Sequence, residues 1–191
     1  MSTVLETSIP GSLLILLGIL LTLSLVSCAG SDTSESTEDL FARGEFLCLE
    51  QEWGESRNVL REFLLKNPDH PGAHFYLGRS YLMWEDSFRP VIAEGELQIA
   101  LQLFHENNEI SYIERFPPSY FEMICNIDSA KVCLKEFGTV LNLGAPKSQL
   151  LHLAARARKY VEAAREVIPD APEVAEYEEH VSRMEAFASR R

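Results

Sequence analysis

Positive charge is missing from the start of this chain. The first basic residue is Arg43, and Glu6 is the one charge among residues 1–28. Cysteine is scarce: Cys28, Cys48, Cys125 and Cys133 are the four, with no CxxC and no Cys/His run at metal-ligand spacing. GxSxG, HExxH, a Walker A loop and GxGxxG are all missing. His70 and His74 are four apart, but Pro71 lies between them, so they read as turn and packing residues rather than metal ligands. No catalytic residue, metal site or cofactor is therefore expected. Beyond residue 37 the alternation of a half-buried strand is lacking, and helical spacing takes its place.

Acidity is abundant. Lys and Arg number 17 against 29 Asp and Glu, a net charge of −12. Loss of Glu6 with the first residues leaves 17 against 28, or −11. Such a chain repels nucleic-acid phosphates and anionic lipid, so basic or neutral protein surfaces are its easier partners.

Residues 12–26 are an unbroken run of Leu, Ile, Val, Gly, Ser and Thr. At 1.5 Å each they reach about 22 Å, short of a ~30 Å hydrocarbon core but suited to a signal-peptide core. The run ends in Leu25-Val26-Ser27-Cys28. This resembles the bacterial lipobox, in which the Cys thiol receives diacylglycerol and the chain is cut before it. The resemblance implies a signal peptide over 1–27 and acylation (palmitate-type chains) at Cys28. It departs from that family in lacking Lys or Arg over residues 1–11, so the start codon is misassigned or insertion relies on other features. An uncleaved N-terminal anchor is the other reading of the segment. Several acyl chains make a stable anchor where one does not. Residues 28–38 then read as a polar, flexible tether. Ala29 after the Cys implies, by the same resemblance, export to the outer membrane, facing the periplasm.

The globular part, 39–191, is punctuated helix. Leu40, Phe41, Gly44, Leu47 and Cys48 form one stripe. Ser56, Val59, Leu60, Phe63 and Leu64 form a second, closed by Asn67-Pro68. His74, Leu77, Gly78, Tyr81 and Leu82 form a third, and Ala93, Leu97, Ala100, Leu101 and Phe104 a fourth. Helix pairs of about 34 residues are a repeat signature. The pattern resembles the tetratricopeptide repeat, W-x2-L-G-x2-Y then A-x3-F-x2-A then Pro. Over 37–70, Leu40, Arg43, Gly44 and Leu47 take the first-helix places, Ser56, Leu60 and Phe63 the second, and Pro68 closes. Over 71–105, Leu77, Gly78 and Tyr81 match outright, with Ala93, Leu97 and Ala100 following a three-residue insertion near Ser87-Phe88-Arg89. Gly44, Gly78, Ala93 and Ala100 are expected where helices cross closely.

The second half is less regular. NPDHPGAH at 67–74 is echoed by IPDAPEVA at 168–175. Leu150, Ala154, Ala157, Val161, Ala164 and Ile168 predict a long helix. Val174, Tyr177, Val181, Met184 and Ala188 predict a capping helix over 171–190. Within the divergent stretch 106–170, Pro117-Pro118 reads as a helix break, Ser119 as the start of a short helix, and Asp128 as the cap of another that stops at Gly144. Tyr112, Phe116, Pro117, Pro118, Tyr120 and Phe121 are core-packing residues or a binding patch. Cys48, Cys125 and Cys133 read as buried small hydrophobes. Cys125 and Cys133 are about 12 Å apart on one continuous helix, too far for a disulfide, while a bend or Cys48 would allow other pairings.

The expectation is an all-α chain of antiparallel helix hairpins stacked as a short right-handed solenoid. Resemblance to the tetratricopeptide family implies a non-catalytic scaffold that holds an envelope protein in a concave face. Phe41, Glu45 and Cys48 in the first unit, and Phe75, Arg79 and Leu82 in the second, take the inward places. Some members clamp a carboxylate there with Lys; Phe41 and Phe75 stand at those places, so an apolar groove with one charged lip is expected. Assembly of an outer-membrane or cell-wall complex is the candidate task. The competing reading is a structural or self-associating lipoprotein whose groove is filled by its own 106–147 segment or by a second copy.

Overall fold

The computed structural model describes residues 36–107 and 116–191, apart from the Asn107 side chain. The expected signal peptide, Cys28, the tether up to residue 35, and Tyr112 lie outside the described residues. The described chain is all-helical, and no strand occurs among the described residues. Seven α-helices follow in order: α1 (Thr37–Leu49), α2 (Trp53–Lys66), α3 (Pro71–Met83), α4 (Pro90–Asn107), α5 (Pro118–Asn142), α6 (Lys147–Val167) and α7 (Pro172–Arg190). A 3-10 turn, Glu85–Ser87, occupies the insertion between α3 and α4.

Local chemistry sets the ends. Ser36 caps α1: its Oγ accepts from Asp39 N–H at 3.2 Å and donates to Asp39 Oδ2 at 2.6 Å. Helix α1 thus starts inside the segment expected to be tether. It ends where Gln51 takes φ 65° and Glu52 N–H reaches back to Leu47 O at 2.9 Å. Helix α5 ends the same way on Gly144 (φ 79°), with Ala145 N–H donating to Val140 O at 3.0 Å. A residue without Cβ suits that left-handed turn. Pro71, Pro118 and Pro172 each sit in the first turn of a helix, where the missing N–H is no loss.

One expectation is corrected here. Pro117-Pro118 marks a helix boundary as expected, but the short helix from Ser119 and the one expected from Asp128 are a single helix, α5, unbroken for 25 residues. Asp128 caps nothing; it lies mid-helix with its carboxylate buried at 1 % exposure. Cys125 and Cys133 therefore share one helix, and all three described cysteines are free and buried. Burial pushes the thiol of Cys48 up, that of Cys125 well up and that of Cys133 to about 12. Thiolate is the reactive form. Native protein should take up no iodoacetamide at these three sites, and all three should label in about 6 M guanidinium, where denaturant exposes them; labelling in the folded state would contradict their placement.

Packing is mostly between neighbours. Each helix lies against the next, and α1 also meets α3, α3 meets α5, and α5 meets α7. Two crossings are especially close. A Cβ placed on Gly44 would lie 2.6 Å from Leu60 Cδ2, and one on Gly78 would lie 2.9 Å from Leu97 Cγ and 3.1 Å from Ala93 O. These are the α1–α2 and α3–α4 contacts. Ala93, Leu97 and Ala100 are fully buried from the α4 side, while Leu77 and Tyr81 are buried on α3. A buried hydroxyl relay ties three helices together: Ser56 Oγ donates to Gly44 O at 2.9 Å, lies 3.0 Å from Ser80 Oγ, and Ser80 donates to Tyr76 O at 2.8 Å. The small Ser56 fits the crossing, and its O–H is satisfied there.

The turn between α2 and α3 carries two histidines of opposite behaviour. Asn67 ends α2, exposed Pro68 follows, and His70 caps α3 by accepting from Ala73 N–H on Nδ1 at 3.0 Å. His74 bridges Glu96 on α4 at 2.6 Å and Pro68 O at 2.7 Å. Burial, aided by the charge of His74, pushes His70 down from 6.5 to about 4. For His74 burial opposes the charged form, but the hydrogen bond to Glu96 and the carbonyl of Pro68 outweigh it, and its pKa is raised. The unfolded chain binds a proton near 6.5 that native His70 refuses until about 4, so its stabilisation fades as pH falls across that window. The contribution of His74 is whole below 6.5 and fades as pH rises through its raised value. His70→Asn keeps a good capping acceptor without a titrating group. Its urea midpoint should lose less than the parent's between pH 6.5 and 4; an identical pH profile would contradict this.

Candidate functional site

The six residues expected to face a groove do not form one open surface. Phe41 is half-buried among rings, its centroid 5.5 Å from Phe63 and 4.4 Å from His70. Glu45 is half-buried and accepts from Tyr76 O–H at 2.7 Å. Cys48 is buried, its Sγ 3.9 Å from Tyr76 O. In the second unit Phe75 has 0 % exposure. It lies under α5, 5.3 Å from Phe121 and 6.4 Å from Phe116. Leu82 is buried, and its carbonyl accepts from Lys135 Nζ at 2.9 Å. Arg79 pairs with Asp128 at 3.2 Å. The face of α3 is thus covered by α5; Phe75 is out of a partner's reach, and Leu82 keeps 2 % of its surface, at the edge of α5. Of the distinctive 116–121 residues, Phe121 is core, Phe116 and Tyr120 stack on each other half-buried at 5.3 Å, and Pro117 and Pro118 are exposed.

The ion pair under that cover has a definite electrostatic design. Asp128 is held by two cations, Arg79 at 3.2 Å and Lys131 at 2.8 Å, each about a quarter exposed. One buried carboxylate shared by two cations leaves local positive charge. Burial disfavours charged Lys131, but the charge of Asp128 overrides it and the pKa of Lys131 is raised. Lys131 Nζ also sits 5.4 Å from the Tyr177 ring of α7.

An open groove lies beside this pair, between α5 and α7. Its upper part, about 610 Å³, is formed by Leu82, Met83 and Glu85, by Lys131, Leu134 and Lys135 of α5, and by Tyr177 and His180 of α7. It adjoins an apolar part of about 380 Å³ formed by Phe137, Leu141, Arg183, Met184 and Phe187, sharing Leu134 and His180. Phe187 is 44 % exposed. Lys135 lies 4.7 Å from the Phe88 ring, and Arg183 bonds Glu179 one turn back. Of these residues only Leu82 was expected to meet a partner; Tyr177 and Met184 were expected as packing residues of the last helix. The signal of the rest was present as Lys131 and Lys135 at i, i+4, and as His180, Arg183 and Phe187 at i, i+3 and i+7, each putting one side-chain row on one helix face. Which helix would face α5 was the missing information.

Among the described residues, no group of three or more His, Cys, Asp or Glu is placed to hold a metal, and no helix is long and apolar enough to cross a membrane. His70 and His74 are taken up by a helix cap and by Glu96. Compared with family models, with curated proteins and with solved structures, the chain has no match.

Proposed function

We propose that this chain is a non-catalytic protein-interaction scaffold, built of tetratricopeptide-like helix hairpins and held at the bacterial envelope by acyl chains on Cys28. The observation that carries the reading is the packing order. Hairpins α1–α2, α3–α4 and α5–α6 succeed one another, α7 lies against the last, and the two glycines at repeat positions sit where an added Cβ would clash with the facing helix. Stacked hairpins of this kind form a right-handed solenoid and expose one helix row for docking. The anchor rests on the Leu25–Cys28 pattern alone. An outer-membrane address facing the periplasm, and a part in assembling an outer-membrane or cell-wall complex, belong to the same proposal.

A second reading has its own observation. Because α5, from within the 106–147 segment, packs over Phe75, the expected groove is covered there by the chain itself, which favours a structural or self-associating lipoprotein. The open α5–α7 groove keeps the scaffold reading ahead. The two separate on affinity purification from membranes with a Phe187→Asp variant and a Leu65→Asp control; Leu65 is exposed on α2, away from α5 and α7. The scaffold reading expects a defined partner lost in the first and kept in the second. Equal recovery from both, or only the chain itself, contradicts it. Cys28→Ser should abolish palmitate labelling and release the protein from membranes; unchanged mass and partitioning contradict the anchor.

A further inference from the structure

We infer that the α5–α7 groove receives a short amphipathic segment of a partner protein, with aliphatic side chains toward the floor and carboxylates toward the rim. The inference rests on the scaffold reading above and names its partner class. Its ground is a local reversal of charge. The chain carries −12 overall, yet along this groove Lys131, Lys135 and Arg183 stand beside Glu85, with Glu179 bonded to Arg183 and Asp128 held behind Lys131. Two of these cations have charge to spare. Lys131 shares Asp128 with Arg79, so three charged groups sum to +1. Lys135 is engaged by the Leu82 carbonyl and the Phe88 ring, not by a carboxylate, among the described residues. Elsewhere the acidic surface would repel an acidic segment, so the positive strip is also the place where it would be steered.

The floor sets the second half of the chemistry. Leu134, Phe137, Leu141, Met184 and Phe187 form an apolar trough between two helices, the shape that accepts aliphatic side chains at helical or extended spacing. Met184 and Phe137 are already buried against the core, whereas Phe187 remains 44 % exposed and has area left to cover. A membrane surface is the less suited occupant. The chain's net charge opposes anionic lipid.

The test is fluorescence anisotropy with the full chain in mild detergent. The probes are labelled peptides of about 14 residues, four helical turns, with one fixed Leu pattern and Glu, Gln or Lys at the polar places. The Glu peptide should bind best. Its Kd should rise about tenfold in a Lys135→Gln/Arg183→Glu double variant, equivalent to ~1.4 kcal/mol. It should rise also in about 0.5 M salt, where the Debye length falls to roughly 4 Å. Circular dichroism checks that the variant folds. Equal or stronger binding of the Gln or Lys peptide, or an unchanged Kd in the folded variant, overturns the inference. So does preferential binding of phosphatidylglycerol vesicles through the same residues. Self-association of the chain that the same variant abolishes would assign the trough to a second copy and overturn it too. Failure of every peptide, with membrane partners still lost in Phe187→Asp, would sink the acidic-segment inference and leave the scaffold reading standing.

Discussion

Gly78→Ala should lower the unfolding free energy by about 1–2 kcal/mol, whereas Gly95→Ala and Gly138→Ala should raise it by about 0.5–1 kcal/mol. All three glycines are inside helices, where alanine gains about 1 kcal/mol of propensity. At Gly95 and Gly138 nothing stands within 4 Å of an added Cβ, so that gain is kept. At Gly78 the methyl would meet Leu97 Cγ at 2.9 Å and the backbone oxygen of Ala93 at 3.1 Å. Leu97 and Ala93 are fully buried and have nowhere to go, so α3 and α4 must move apart and overpacking outweighs propensity. Gly44→Ala should behave similarly against Leu60, at 2.6 Å. Urea midpoints of the four variants read this directly. Stabilisation at Gly44 and Gly78 comparable to that at Gly95 would mean the crossings are looser than described.

The second large effect is at the Arg79–Asp128 pair. Arg79→Met should cost about 3 kcal/mol, the lower end for breaking a buried pair, because Lys131 still holds Asp128 Oδ1. Asp128→Leu should cost less, about 1–2 kcal/mol, since the two cations left behind are about a quarter exposed and can turn toward water. The double variant should recover part of the loss, giving a coupling energy of about 1–3 kcal/mol in the cycle. Additive losses would show that the two side chains do not depend on each other. The pair also joins α3 to α5, so the Arg79→Met variant should loosen the cover over Phe75.

Much of the hairpin order was legible because it is local. The Asn67-Pro68 and Pro71 signals bound α2 and α3, Gly144 ends α5, and the periodic rows from Leu150 and Val174 lie on the buried faces of α6 and α7. Gly44 and Gly78 were readable as crossings since small residues recur opposite them. What was not legible depends on distant partners. Asp128 looked like a cap because Lys131 at i+3 does not by itself explain a buried carboxylate; its other partner, Arg79, lies far upstream. The start of α5 was readable to within one residue, but nothing local showed that the helix runs on past Asp128 to Asn142. The expected groove failed at Phe75 for the same cause. Phe121 and Phe116 fold over it, and no periodicity within α3 announces them. The basic rows on α5 and α7 were visible separately, but only their pairing across the trough makes them a surface.

In-cell photocrosslinking from the groove tests the central claim most directly. A benzophenone side chain in place of Phe187 lies on the α5–α7 trough, and one in place of Leu65 lies exposed on α2. The account predicts a discrete heterologous adduct from position 187 and none of that mass from position 65. Matching adducts from both positions, or an adduct with the chain itself alone, would contradict it.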